Sequence, residues 1–266
     1  MDILAVIFSE LFEETIAVIF ANRGEFLDKI HAGETAVAVF VKTPGVSPLK
    51  TRLAAGIGAE AAAEFYRLSI AAVAAQLAKM KASLGIEPFW AIAEESEVDN
   101  PLWINQQRLW TGAGDLGERQ SQVYDALSKD YSRVILLGAD TPQICALQIA
   151  SALEALQQNS FAFGPAHDGG YFMFAGRDRL PRSVWQGVPW STSTTREVLA
   201  AKLPVTAVEL APLMDVDEAE DLWLMQEELE KVPETLLVSE QLTMLNWLKR
   251  YKSRRQEHKT SHSAGD

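Results

Sequence analysis

The sequence predicts an α/β fold in which a largely parallel sheet is covered on both faces by helices, and three observations predict it. Strand-like and helix-like segments alternate along the chain from Thr35 onward, the pattern that builds βαβ units. The strand-like run AVAVFVK (36–42) is continuously apolar rather than alternating, and so is the body of RVILLGAD (133–140), as strands buried on both faces require. Between them, Ala59 to Lys81 is a long alanine-rich stretch with the composition of a helix.

Taken in order, residues 1–34 set Ile3, Leu4, Ile7, Leu11, Phe12, Ile16, Ile19 and Phe20 at helical spacing with acids between. They read as an amphipathic helical appendage that docks on the main domain. A dimer contact or a peripheral membrane contact are the alternatives, and the acidic polar face disfavours the membrane. Asp2, Glu10, Glu13 and Glu14 interrupt the roughly 20 apolar residues a spanning helix needs. The start also lacks the basic opening and small-residue cleavage site of a signal peptide, so a cytoplasmic protein with no membrane span is expected. Residues 35–232 read as one catalytic domain. Its further strands are expected at 88–93, near 108–111, and at 133–140, 161–166, 171–176 and 204–210. Its further helices are expected after Gly114, at 146–157, at 193–202 and from Asp217. Residues 233–266 read as a C-terminal helix and a basic, solvated tail holding Lys249, Arg250, Lys252, Arg254, Arg255 and Lys259.

A chain of 266 residues with 48% hydrophobic content can bury a full core. Its formal net charge of −12 would repel a nucleic-acid backbone, and basic residues are segregated only at the C-terminus, so no nucleic-acid partner is expected. Cys145 is the only cysteine, which excludes an intrachain disulfide and a CxxC-type zinc site; it reads as a packing residue.

Ligands of open α/β sheets bind at the carboxyl ends of the strands, and four polar clusters fall there. In KTPGVSPLKTRLA (42–54), Pro44, Gly45 and Pro48 deny regular structure while Lys42, Lys50, Thr51 and Arg52 supply cations and a hydroxyl beside a helix start, the inventory a di- or triphosphate needs. The Walker spacing is absent, and a basic surface loop is the plainer alternative. In GADTP (138–142), Asp140 ends a buried strand, where a carboxylate is costly unless it binds something. It offers a ligand for Mg²⁺ or Mn²⁺, or else an N-cap. In GPAHDGGYFMFAG (164–176), Gly169 and Gly170 permit a tight strand-to-strand turn presenting His167 and Asp168, which a hairpin alone also explains. In MDVDEAEDL (214–222), Asp215 and Asp217 precede a helix; capping accounts for one of them, and a metal role is open to either.

These blocks in this order, with GDLGER (114–119) and VPWST (188–192), resemble a bacterial glycosyltransferase-like family associated with radical-SAM and arsenosugar pathways, formerly a domain of unknown function. The resemblance covers roughly Ala36 to Gln226. It implies a three-layer α/β/α sandwich, the Rossmann-like GT-A nucleotide-diphospho-sugar transferase fold with a mixed central sheet. It also implies roles: Lys42, Lys50 and Arg52 toward the nucleotide phosphates, Asp140 and Asp217 toward Mg²⁺ or Mn²⁺, and Asp168 as a base on the acceptor side. Thr51, by its hydroxyl, and the Gly169–Gly170 turn, by the close backbone approach it permits, are added as nucleotide contacts from the residues themselves. His167 stands where an acidic residue is commoner in the family, and residues 1–34 lie outside its core.

Three functions follow from these readings. The first is a glycosyltransferase moving a sugar from a nucleotide-diphospho-sugar to a small-molecule acceptor. The second is a nucleotidyltransferase, similar to phospholactate guanylyltransferases, that joins an NTP to a phosphorylated small molecule with loss of pyrophosphate. The third is a non-catalytic interaction protein, against which four strand-end polar clusters argue.

Overall fold

The computed structural model describes residues 33–263, with side chains through Arg254. The expected N-terminal appendage, apart from its last two positions, lies outside the described residues.

The apolar run TAVAVFV forms β1 (Thr35–Val41), an interior strand third from one edge of a seven-stranded sheet. It pairs in parallel with β2 (Glu87–Ile92) on one side and β4 (Arg133–Gly138) on the other. Beyond β2 lies β3 (Gln107–Trp110), also parallel. Past β4 the direction reverses: β6 (Tyr171–Gly176) is antiparallel both to β4 and to β5 (Phe161–Pro165). A two-residue β7 (Val208–Glu209) then pairs in parallel with β5. The order is β3-β2-β1-β4-β6-β5-β7, and the sheet is mixed.

Helices cover both faces. Successive residues of a strand point to opposite sides, so Val37, Val39 and Val41 of β1 meet one layer and Ala36 and Ala38 the other. The first layer is α2 (Ala59–Leu84) with Val73, Leu77 and Met80, beside α4 (Ala146–Gln158) with Ile149, Leu153 and Leu156. The second is α3 (Leu116–Leu127) with Val123, Tyr124 and Leu127, and α5 (Thr195–Lys202) with Leu199. A further apolar cluster joins Leu53 of α1 (Thr51–Ile57) and Phe65 of α2 to α6 (Asp221–Lys231) and α7 (Ser239–Ser263). The result is a three-layer α/β/α sandwich.

Three elements differ from the sequence expectation. The strand expected over 204–210 shortens to Val208–Glu209, because the chain bends at residues 203–205 on leaving α5 and reaches β5 only at Val208. The helix expected from Asp217 starts four residues later. The Asp221 carboxylate accepts the N–H groups of Asp217 (2.9 Å) and Glu218 (2.7 Å) and so closes a turn ahead of it. The segment 42–54, read as a loop beside a helix start, gives its last four residues to the short helix α1 (Thr51–Ile57).

The first half of α7 belongs to the core: Met244, Trp247 and Leu248 are buried against Phe65 of α2 and Met225 and Leu229 of α6. Lys249, Arg250, Lys252 and Arg254 are exposed, as their charge requires. Cys145 is free and buried; burial pushes its thiol up to about 11, a packing cysteine rather than a nucleophile. No helix among the described residues is long and apolar enough to cross a membrane.

Gln241 of α7 fastens this helix to the turn that follows β4. It has no exposed surface, and its Nε2 donates to the carbonyls of Pro142 (2.8 Å) and Ile144 (2.9 Å) while its Oε1 accepts from Gln76 Nε2 (2.6 Å). Gln241→Leu takes this donor from the Pro142 and Ile144 carbonyls and leaves the Gln76 amide with only the Leu236 carbonyl as acceptor, and is expected to lower unfolding free energy by about 2–4 kcal/mol. Urea denaturation of the variant against wild type measures this.

Candidate active site

The carboxyl ends of β1, β2, β3 and β4 share one rim of the sheet because these strands are parallel. The reversal at β6 brings the β5–β6 turn to the same rim, and the parallel β5–β7 pairing sends the chain after β7 back there. Leu213 continues that register through its N–H to Pro165 O (3.1 Å). The four polar clusters therefore converge, although they are spread over residues 42–217.

The loop after β1 is held by side chains from below. The Tyr66 hydroxyl accepts from Lys42 N–H and donates to Lys42 C=O, both at 2.9 Å. Burial is the main cause that pushes the Tyr66 hydroxyl's pKa up, so it stays a neutral clamp. Glu94, just past β2, accepts the Thr43 N–H (2.9 Å), and Trp103 Nε1 donates to Thr43 Oγ1 (3.2 Å). The loop ends at Lys50, whose backbone is left-handed (φ 47°, ψ 44°), a conformation rare for any residue but glycine.

Lys50 does not project into solvent. Its side chain is 6% exposed, with Nζ 2.7 Å from Asp140 Oδ2 and donating to the carbonyl of Val216. Lys42 and Thr51 are exposed. Arg52 is exposed too, and its Nη1 meets Asp217 Oδ2 at 2.5 Å.

Asp140 is not a helix cap, since α4 begins six residues later, at Ala146, with Cys145 as its N-cap. Its carbonyl accepts the Val216 N–H (3.2 Å), and Gln143 Nε2 donates to Met214 C=O (2.6 Å) and to Glu228 Oε2 (2.8 Å). Glu228 in turn accepts the Met214 N–H (2.9 Å). These bonds lay residues 214–217 along the turn after β4 and set Asp215 beside Asp140. Asp215 Oδ1 is buried with no hydrogen-bond partner, as is Thr141 Oγ1. Burial pushes the Asp215 carboxyl up to about 7, the Asp140 carboxylate adds to the rise, Lys50 opposes it, and Asp168 and Asp217 raise it further.

The β5–β6 turn accounts for its own glycines. Gly169 has φ 89°, and a Cβ there would stand 2.0 Å from the carbonyl oxygen of Ser193; its own carbonyl accepts the Arg196 N–H (3.3 Å). Gly170 N–H donates to Asp168 Oδ1 (2.8 Å). Asp168 and His167 are exposed, and His167 Nε2 lies 3.5 Å from Glu228 Oε1.

GDLGER is scaffold. Asp115 and Glu118 form a reciprocal capping box at the start of α3. Arg119 donates to Ala93 O (2.8 Å), Thr111 Oγ1 (2.9 Å) and Gly114 O (3.0 Å), tying the ends of β2 and β3 together. A Cβ on Gly117 would stand 2.3 Å from the indole of Trp190, so this glycine is what lets VPWST close over α3.

Sequence reasoning brought Lys50, Asp140 and Asp215 to one rim; the spacing left a metal role open to Asp215 or Asp217 and the resemblance pointed to Asp217, whereas the structure sets Asp215 beside Asp140 and Asp217 on Arg52. It missed Glu94, Glu228 and Tyr66, which carry no motif and act through contacts distant in the chain.

Among the described residues, no three His, Cys, Asp or Glu side chains stand together as a ready-made metal cage. A cation that arrives with a nucleotide needs only one or two protein carboxylates, its other ligands being phosphate and water oxygens. Asp140 and the unpartnered Oδ1 of Asp215 meet that requirement, and an all-oxygen donor set suits Mg²⁺ or Mn²⁺.

The layering and the mixed sheet are those of the nucleotide-diphospho-sugar transferase fold. In sequence, residues 71–192 match the family described as "Uncharacterized protein conserved in bacteria (DUF2064)", a stretch that holds Asp140 and Asp168 but neither the Lys42–Arg52 loop nor Asp215. No curated protein matches. A crystal structure of a candidate nucleotide-diphospho-sugar transferase from Desulfovibrio desulfuricans G20 superposes with a TM-score of 0.70 at 26% identity, over 82% of this chain and 98% of that one. Fainter likenesses are to 4-diphosphocytidyl-2C-methyl-D-erythritol synthase from Anaerococcus prevotii DSM 20548 (TM-score 0.49, 10% identity, 75% and 99% of the two chains) and to a cytidylyltransferase from Leptospira borgpetersenii serovar Hardjo-bovis (0.45, 14%, 83% and 96%).

The folded chain keeps Asp215's proton up to about pH 7, whereas the unfolded chain releases it near 3.8. Raising the pH between those values therefore destabilises the metal-free fold, by about 1.4 kcal/mol per unit at most. Asp215→Asn removes that penalty. Its melting temperature should exceed that of wild type above pH 7 and converge on it near pH 4, as read by thermal melts in chelator across that range.

Proposed function

We propose that this chain is a metal-assisted transferase that acts on a nucleotide-diphospho-sugar and passes the sugar to a small-molecule acceptor. The observation that carries the reading is the meeting, on one strand-end rim, of Lys50, Asp140 and Asp215, with the Arg52–Asp217 pair alongside. Two cations and several carboxylates at one sheet edge suit a diphosphate and its counter-ion.

In this reading Asp140 and Asp215 hold Mg²⁺ or Mn²⁺, and Asp217, now on Arg52, is an outer contact. The cation's chemistry, when bound, is neutralisation of the diphosphate. Lys42, Lys50 and Arg52 bind the phosphate oxygens, with the Thr51 hydroxyl and the backbone of the Gly169–Gly170 turn as further nucleotide contacts. Asp168, exposed on the β5–β6 turn, takes the proton of an acceptor hydroxyl. The freed oxygen attacks the anomeric carbon, the bond from that carbon to the diphosphate breaks, and the nucleoside diphosphate leaves with its charge balanced by Lys50 and Arg52. The resemblance to an arsenosugar-associated family points to the kind of small acceptor, and a cytoplasmic site of action agrees with it.

Two measurements test the reading. Incubation with Mn²⁺ and panels of nucleotide sugars or NTPs should release nucleoside diphosphate; pyrophosphate released from an NTP would replace sugar transfer by nucleotidyl transfer on the same rim. In calorimetric titrations, Asp140→Ala is expected to abolish Mn²⁺-dependent nucleotide binding, and unchanged affinity would overturn the metal assignment.

A further inference from the structure

The carboxylate set that suits a divalent cation already holds a cation of the chain's own. Lys50 Nζ lies 2.7 Å from Asp140 Oδ2, its second contact is the Val216 carbonyl, and only 6% of its side chain reaches solvent. Both acceptors border Asp215: Val216 follows it in sequence, and Asp140 is hydrogen-bonded through its carbonyl to the Val216 N–H (3.2 Å). An ammonium so placed takes lone pairs that a dication at Asp140 needs, and like charges at that range repel strongly when water is excluded.

The position of Lys50 in the chain gives it somewhere else to go. It is the last residue of the basic loop, immediately before Thr51 and Arg52 at the start of α1. Phosphates bound by that loop would offer the ammonium a second set of anionic oxygens. We propose that Lys50 is an internal counter-cation that keeps the metal out until a nucleotide's phosphates draw its ammonium off Asp140, so that metal and nucleotide bind as one unit.

This inference rests on the nucleotide and metal reading above, and it assigns Lys50 a role that phosphate binding alone does not give. A simple phosphate ligand contributes nothing to metal affinity in the absence of nucleotide. A competing cation opposes it, and by linkage makes nucleotide and metal reinforce each other. Removing the charge should then move two measurements in opposite directions. Metal alone binds more tightly, because its competitor is gone. The increase in metal affinity produced by nucleotide shrinks, because there is no ammonium left to displace.

The test uses the full chain as wild type and as Lys50→Met, Lys50→Gln and Lys50→Arg, each checked for folding by thermal melt. Mn²⁺ alone is titrated by the electron paramagnetic resonance signal of the free ion, then again with saturating UDP or GDP, at one fixed pH for all variants. Wild type is expected to bind Mn²⁺ alone weakly and much more tightly with nucleotide. Lys50→Met and Lys50→Gln should bind Mn²⁺ alone at least about tenfold more tightly than wild type, within the range usual for coupled sites, and show a smaller nucleotide effect. Lys50→Arg, which keeps the charge, should behave like wild type. If either neutral variant folds and binds Mn²⁺ alone no better than wild type, while wild type still binds Mn²⁺ with nucleotide, the counter-cation role is wrong and the site reading survives. If wild type binds neither nucleotide with Mn²⁺, both fall together.

Discussion

The rim of this sheet depends on how an acidic chain sets carboxylates side by side. Asp140 and Asp215 could not both stand ionised in a low-dielectric turn without an opposing charge. Lys50 supplies that charge from within the protein, at 2.7 Å from Asp140. Burial still pushes the Asp215 carboxyl up to about 7 despite Lys50, so the arrangement is only partly compensated. A site that keeps a buried, only partly compensated carboxyl at Asp215 is one where function outweighs stability.

Around that junction, few loops are free to adjust. Tyr66 holds both backbone groups of Lys42, Glu94 and Trp103 hold Thr43, Arg119 joins the ends of β2 and β3, and Gln143 with Glu228 fixes the segment that carries Asp215. Gln241 anchors the turn after β4 from the far side. Each clamp comes from a helix or an adjoining strand end, so polar loops are tied to the rigid layers of the sandwich. Such second-layer bonds hold charged groups in place more firmly than the loops could alone. The charges that remain outermost, Lys42, Arg52 and Asp168, sit on the side open to solvent.

Much of this was legible locally. Continuous apolar runs identified β1 and β4, alternation of strand and helix identified the layers, and strand-end position singled out Lys50, Asp140 and Asp168 as residues that sheet geometry brings to one edge. The mixed sheet came only from family resemblance: a hairpin at Gly169–Gly170 sets β5 and β6 antiparallel, but nothing local inserts β6 between β4 and β5. Nor could spacing choose between Asp215 and Asp217. Residues two apart in an irregular segment face different ways, and here one carboxylate lies buried toward Asp140 while the other meets Arg52 at the surface.

The sequence by itself determined the elements, their layering and the rim where charged residues gather, because those follow from local hydrophobic pattern and from where each strand ends. Only the tertiary structure decided the partners: Lys50 on Asp140 and on Val216, 166 residues away, and Asp215 rather than Asp217 against Asp140. Those pairings depend on how the chain after β7 lies along the turn after β4. Side-chain bonds from Gln143 and Glu228 set that course, and no pattern of neighbouring residues encodes it.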